Sequence, residues 1–253
     1  MNPEEVKKYS EYRDYPVHFN RLRYIYEEIE NSKKSPKNVL DVGCGTGNIT
    51  IPLGLIEDSN IMGLDFNNDN ILVCEERNTF DNVKLIHKDL TLFDIAEYDY
   101  LILTEVLEHI PDYQPILDYI GMNLKTEGKL ILTIPNGFGM FEFSQVPMYF
   151  LRKIGLNGFI GKVKKLVGKK EPYATNQEED PHVNFFTIRS FKKALEKAGM
   201  KITNHEGAYV FASIFETYLP FVPLAGIAKI DNKLAQILPK FMTSGWLFTI
   251  ERK

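Results

Sequence analysis

Cysteine is scarce in this chain: Cys44 and Cys74 are the only two in 253 residues. The first stands in a glycine turn and the second in a predicted helix, so a disulfide framework is not indicated and a reducing compartment fits. Also lacking is any uncharged apolar run of about 18 residues or more, the length a spanning helix needs. The opening MNPEEVKKYSEYRDYP is charged and holds no apolar stretch of the kind a secretory signal requires. Nor is there a basic excess. Thirty Lys and Arg face 34 Asp and Glu, giving a net charge of −4 and a pI of about 5.8, which argues against wholesale nucleic-acid binding. No internal repeat or low-complexity tract is found. Together these absences lead to the expectation of a soluble, cytoplasmic protein with no nucleic-acid partner and no transmembrane segment. What is present, 44% hydrophobic and 25% charged residues, suffices for a substantial core in one domain spanning 1–253.

The stretch VLDVGCGTG, Val39 to Gly47, organises the rest. Small and apolar residues up to Asp41 read as a buried strand, and Gly43, Gly45 and Gly47 follow at every second position. Such a turn leaves its backbone bare to a ligand, and Thr46 is expected to cap the helix TGNITIPLGLI behind it. Ahead of it, residues 1–35 form an arm and a helix whose Phe19, Leu22, Tyr26 and Ile29 recur at helical spacing. Beyond it, strands are predicted at 61–64, 83–87, 98–104 and 129–135, with helices over 67–78 and 111–124. Strands alternating with helices argue for βαβ units and a parallel sheet, an α/β fold. After Pro135 the rhythm breaks into a 136–184 insertion. The amphipathic helix TIRSFKKALEKA, closed by Gly199, a strand entered at 201–205, a second insertion at 215–242 and a last strand, GWLFTIERK, complete the chain.

The glycine spacing excludes two common ligand cradles. A dinucleotide fingerprint, G-x-G-x-x-G, fails because its third glycine falls on Asn48. A P-loop fails for want of Gly-Lys-Ser/Thr. What stands is Asp41 followed by G-x-G-x-G, with an acid, Asp65, closing the next strand. This pattern resembles the class I S-adenosylmethionine-dependent methyltransferases over about residues 37–136, again at 182–205 and in the terminal strand. The run TEVLEHIPD, Thr104 to Asp112, is similar to the branch of ubiquinone-type small-molecule O-methyltransferases. The resemblance implies a doubly wound, mostly parallel seven-stranded sheet in the order 3-2-1-4-5-7-6, the last strand antiparallel, with the two insertions forming a substrate cap.

It also implies S-adenosyl-L-methionine as cofactor and assigns its contacts. Asp41, Gly43, Cys44 and Gly45 would line the turn, with the methionyl part and ribose against the glycines. Asp65, with Phe66 beside it, would accept hydrogen bonds from the ribose hydroxyls. Asp89 would receive the adenine amino group, with Leu90 alongside. Thr104 and Glu105 would flank the methionyl side, and Arg21, or failing it Arg23, would hold the cofactor's carboxylate. No metal is expected. His109 is the catalytic candidate, since an imidazole can deprotonate a hydroxyl. The plainer reading is that it only shapes the pocket, because methyl transfer from a sulfonium relies largely on alignment. His18 and His182 are candidate substrate contacts, while His87 and His205 read as structural. Glu105 and Glu108 could instead pass for the paired carboxylates of a hydrolase.

The acceptor is left to the insertions. LRKIGLNGFIGKVKKLVGKK, residues 151–170, carries seven basic and no acidic residues, a local positive field. It suits an anionic small molecule, a phosphorylated or nucleotide-linked intermediate of surface polysaccharide assembly, and equally an anionic membrane surface or a merely solvated face. The apolar second insertion suits a lid, a homodimer surface or peripheral membrane contact. The expected reaction is O-methylation of a small molecule. A prenylated quinol or lipid-like acceptor, N-methylation of a small amine and a non-catalytic S-adenosylmethionine-binding module remain as alternatives.

Overall fold

A computed structural model of the chain describes residues 6, 8–10, 16–139, 182–211 and 224–253, with the side chains of 16 and 224–229 excepted. Most of the 136–184 insertion, including the 151–170 basic run, lies outside the described residues. So do residues 212–223 of the apolar stretch.

Seven strands form one sheet in the order β3-β2-β1-β4-β5-β7-β6. They are β1 (Lys37–Val42), β2 (Ser59–Asp65), β3 (Val83–His87), β4 (Tyr100–Thr104), β5 (Lys129–Pro135), β6 (Met200–Tyr209) and β7 (Gly245–Arg252). The first five are parallel, and β7 runs antiparallel to both β5 and β6. This is the sheet that the resemblance implied.

The two-residue period of the strands sorts their apolar residues to opposite faces. Leu40, Leu101, Leu103, Leu130, Leu132 and Phe248 face one core, which Leu117, Ile120, Phe191 and Leu195 complete. Those four come from α4 (Gln114–Asn123) and α5 (Ile188–Lys197). Val39, Tyr100, Ile102, Ile131 and Leu247 face the other core, against Leu22, Ile25 and Ile29 of α1 (Pro16–Glu30) and Leu53 of α2 (Thr50–Leu53). Helix α3 (Asn68–Arg77) buries Ile71 and Cys74, and α6 (Leu224–Ile237) packs on β6 and α1. The two-sided covering explains why the central strands read as near-continuous apolar runs.

One local expectation is overturned. Thr46 does not cap α2: the helix starts only at Thr50, with Ile49 at its N-cap and no side-chain cap bond. The cause is the backbone. Gly43, Gly45 and Gly47 all have positive φ, +72°, +53° and +82°, which keeps the chain out of the right-handed helix until Asn48 is passed. Thr46 Oγ1 instead accepts from Asn48 Nδ2 at 3.1 Å. The late helix does behave as its sequence indicated, with Thr187 and Ser190 closing a capping box and Gly199 turning left-handed behind it at φ +71°.

What the fold positions is the end of the sheet at which the parallel strands finish. The order reverses between β1 and β4, and in such sheets the crevice beyond that switch point receives the ligand. A recess of about 430 Å³ lined by Tyr26, Ser35, Lys37 and Asp58 lies at the opposite end, where β1 begins, away from every candidate residue.

Candidate functional site

The glycine turn leaves β1 and is clasped to the end of β2, with Gly43 N and Cys44 N both donating to Leu64 O at 2.8 and 3.0 Å. Two of its glycines answer a close approach and the third does not. A Cβ on Gly43 would approach Val106 Cγ2 to 2.8 Å, and one on Gly47 would meet Cys74 Sγ at 2.3 Å. A Cβ on Gly45 would meet nothing within 4 Å, so at Gly45 the backbone is bare toward open space, not toward protein.

Asp65 caps that turn. Its Oδ2 accepts from Gly45 N at 2.8 Å, and its Oδ1 accepts from Asn67 N at 2.8 Å and Asn70 Nδ2 at 3.3 Å. A carboxylate has about four lone-pair positions, so acceptor capacity remains. Next to it Phe66 is 79% exposed, its carbonyl held by His87 Nε2 at 2.8 Å. Asp89 accepts from Thr91 N and Oγ1 at 2.7 and 2.6 Å through one oxygen, Oδ1, and Leu90 behind it is buried. Beneath the turn, Asp41 is buried, with Oδ2 taking the Thr50 hydroxyl at 2.6 Å and Oδ1 without a hydrogen-bond partner among the described residues. Burial, opposed by the Thr50 bond and reinforced by Asp65, pushes its carboxyl up to about 7. The Cys44 thiol is raised by its hydrogen bond with Cys74 and by burial, and both cysteines are free thiols.

At the end of β4, past Thr104, Glu105 takes a left-handed conformation, φ +53°, uncommon for a residue with a side chain and a mark of a constrained site. Three contacts hold it there. Its N–H donates to Thr133 O at 3.1 Å, its Oε1 accepts from Thr133 Oγ1 at 2.9 Å, and its Oε2 lies 3.0 Å from Arg21 Nη2. Arg21 therefore reaches this site from α1. Arg23 does not: it bonds Asn20 and Glu27 and meets Glu206 at 3.2 Å. His18, one turn before Arg21, is buried, with Nε2 at 2.9 Å from Ser10 Oγ. Burial and the nearby Arg21 charge, against a bond to the Asn48 backbone, depress its pKa to about 3. In this structure it pins α1 to the glycine turn as a neutral imidazole.

The catalytic candidate sits in the next turn, Leu107–His109. Glu108 is fully buried, and its Oε1 lies 3.9 Å from His109 Nε2. His182 presents its ring edge-on to His109, centroids 5.1 Å apart, so a residue far along the chain from the glycine turn arrives at the site. Glu105 and Glu108 thus have different partners among the described residues, Arg21 and Thr133 for the one and His109 for the other. Glu108, His109 and His182 each bring a ligand atom within 4.8 Å of the others. Two imidazoles and a carboxylate are a donor set that can hold a divalent cation.

Sequence reasoning missed the residues that fix this turn. Asn184 donates from Nδ2 to Leu107 O and Ile110 O at 2.9 and 2.6 Å, while Val183 N and Asn184 N donate to Glu108 O. Asn136, which is buried, donates to Phe241 O and Thr243 O at 3.0 and 2.6 Å, and Gly137 N donates to Phe186 O at 3.1 Å. The 136–184 insertion therefore leaves and returns beside the 105–110 segment, and the end of the second insertion is tied to the same point.

A bare glycine backbone, a carboxylate with spare acceptors at the end of β2 and an Arg–Glu pair at the end of β4 fit S-adenosylmethionine, whose ribose is a diol and whose amino-acid end is a zwitterion. The comparisons decide the matter: the methyltransferase domain family matches residues 10–205. The chain belongs to that family. This methyltransferase is 31% identical to the demethylmenaquinone methyltransferase of Bacillus licheniformis over 167 residues, 64% of the chain and 69% of that relative. It is 29% identical to the mitochondrial ubiquinone biosynthesis O-methyltransferase of Bos taurus over 125 residues, 46% of the chain and 34% of that relative. The match takes in less than half the length of the ubiquinone-type relatives from Bos taurus, Rickettsia akari and Dictyostelium discoideum, 34%, 48% and 44%. The magnesium protoporphyrin IX methyltransferase of Synechocystis, solved with S-adenosylhomocysteine, shares the fold at a TM-score of 0.56 and 14% identity, over 95% of the chain and 86% of its own. S-adenosylmethionine is the methyl donor of this class, and the chain carries a methyltransferase domain of that kind.

Proposed function

We propose that this methyltransferase transfers a methyl group to an oxygen of a small hydroxylated acceptor, with His109 taking the hydroxyl proton. The observation that carries the reading is His109 in the turn after β4, backed by the buried Glu108 and adjoining His182. Bound S-adenosylmethionine supplies a sulfonium methyl, which passes to the acceptor oxygen as the carbon–sulfur bond breaks. Asp65 would accept from the ribose hydroxyls and Asp89 from the adenine amino group. Glu105 would face the cofactor's ammonium and Arg21 its carboxylate, so that the zwitterion would exchange into their present ion pair. Glu108 would orient the imidazole of His109 and stabilise it once protonated. His182, and His18 if α1 shifts, would line the acceptor.

On acceptor class, the relatives act in ubiquinone biosynthesis and on demethylmenaquinone by their names, which supports a prenylated quinol and, with it, contact with a lipid surface. The basic run at 151–170 supports the anionic, phosphorylated or nucleotide-linked metabolite instead. Transfer of labelled methyl from S-adenosylmethionine to a panel of both types, and of small amines, tests the proposal. The expected result is turnover on a hydroxylated member that falls about 100-fold in His109→Ala, with donor affinity held. Turnover only on amines, or a His109→Ala variant as fast as the parent, would refute it. A second reading rests on the Glu108–His109–His182 donor set: acceptor binding through a divalent cation. Activity abolished by chelation and restored by one added metal would mark that reading, and activity indifferent to chelation would exclude it.

A further inference from the structure

The far side of the glycine turn is held by an arginine to which no motif pointed. We propose that Arg77 is a positioning residue for the methyl donor, one that fixes the closing residues of the glycine turn in the shape the donor binds. The inference rests on the reading of that turn as the donor's cradle.

Arg77 ends α3. That helix lies against the turn, since its Cys74 Sγ occupies the space a side chain at Gly47 would need. The guanidinium then grips the turn itself. Nη1 donates to Thr46 O, and Nη2 donates to Asn48 Oδ1 at 3.1 Å and to Tyr9 O at 3.4 Å. Tyr9 in turn packs its ring against Phe80, centroids 4.7 Å apart and the planes tilted by 57°. From the opposite side His18 of α1 bonds the Asn48 backbone. Residues 46–48 are thus clamped between α1 and α3.

The clamp has a physical task. Three left-handed glycines within five residues leave the turn far more conformational freedom to lose than an ordinary loop. A binding partner must meet the cost of ordering whatever is not ordered beforehand. Arginine suits the task, because its planar fork reaches several acceptors at once, whereas a lysine ammonium satisfies them only as a point charge. The effect belongs to the donor alone. Arg77 sits on the β1–β2 side of the crevice, and His109 and His182 stand at the end of β4.

The test is a split in binding and kinetics with Arg77→Ala, Arg77→Lys and Asn48→Ala. In Arg77→Ala, S-adenosylhomocysteine should bind about tenfold more weakly, while kcat at saturating donor and the acceptor KM stay within about twofold of the parent. Arg77→Lys should fall between. Asn48→Ala removes one acceptor without touching α3, so it should weaken the product in the same direction and carries the test if Arg77→Ala does not fold. The pair should be less than additive in the double variant. Product affinity within twofold of the parent in both single variants, or a loss falling on kcat or on the acceptor, would overturn the proposal. Failure of the parent chain to bind S-adenosylhomocysteine would instead overturn the reading of the turn.

Discussion

At Gly45 an added methyl group would meet nothing within 4 Å, whereas at Gly47 it would come within 2.3 Å of Cys74 Sγ and 2.8 Å of Ile51. The two positions carry the same backbone sign, φ +53° and +82°, so the left-handed penalty of roughly 1–2 kcal/mol is common to both. Their alanine variants should therefore differ in kind. Gly45→Ala should lose little melting temperature beyond that penalty while binding S-adenosylhomocysteine much more weakly. Gly47→Ala should lose stability first, by several kcal/mol of overpacking and strain on the order of known core insertions. Thermal unfolding without ligand, set beside calorimetric affinity, distinguishes the two. Equal melting temperatures for both variants would show that the open space at Gly45 has no special meaning.

Among the elements, the strand–turn–strand run from β1 to β2 and the strands at 83–87 and 129–135 were legible in the sequence, because a buried parallel strand needs an unbroken apolar run and its end needs a glycine or an acid. The candidate residues stand at strand ends: Gly43, Gly45 and Asp65 at the ends of β1 and β2, and Thr104 and Glu105 at the end of β4. What local pattern could not carry was any role defined by a distant partner. Arg77 answers the carbonyl of Thr46, Asn136 the carbonyls of Phe241 and Thr243, and Asn184 those of Leu107 and Ile110. An asparagine in a loop has no period that betrays such a contact. Thr46 failed as a helix cap for the opposite reason: its local signal was good, but the glycines beside it had committed the backbone elsewhere. Asn184 gives the element-scale prediction. Replacing it by alanine removes two hydrogen bonds, about 1–3 kcal/mol of hold, from the turn that carries His109. Asn184→Ala should lower kcat about tenfold and leave donor affinity unchanged. A loss confined to donor affinity would mean that the 182–184 strap does not serve the acceptor side.

For the whole molecule, buried and half-buried titratable groups of opposite sense set the pH response. His18 falls from 6.5 to about 3 and His205, half-buried against Phe248 and Trp246, to about 4. A group whose folded pKa is depressed in this way binds fewer protons folded than unfolded, so its stability is complete above about pH 6.5 and drains away as pH falls toward 3. Asp41 is raised from 3.8 to about 7, so its contribution is complete below 3.8 and is lost as pH rises through 7. Each fully buried group is worth up to a few kcal/mol at full extent. In denaturant titrations across pH 4 to 8, Asp41→Asn should gain on the parent as pH rises, and His18→Gln should gain on it as pH falls. Curves parallel to the parent's throughout would contradict both assignments.

The central claim, that the glycine turn and Asp65 hold S-adenosylmethionine, is tested most directly by titrating the chain calorimetrically with S-adenosylmethionine and S-adenosylhomocysteine. Both should bind once per chain, and Asp65→Asn, which removes the charge from the ribose acceptor, should weaken both by about tenfold or more. Heat from neither ligand, or undiminished binding by Asp65→Asn, would contradict it.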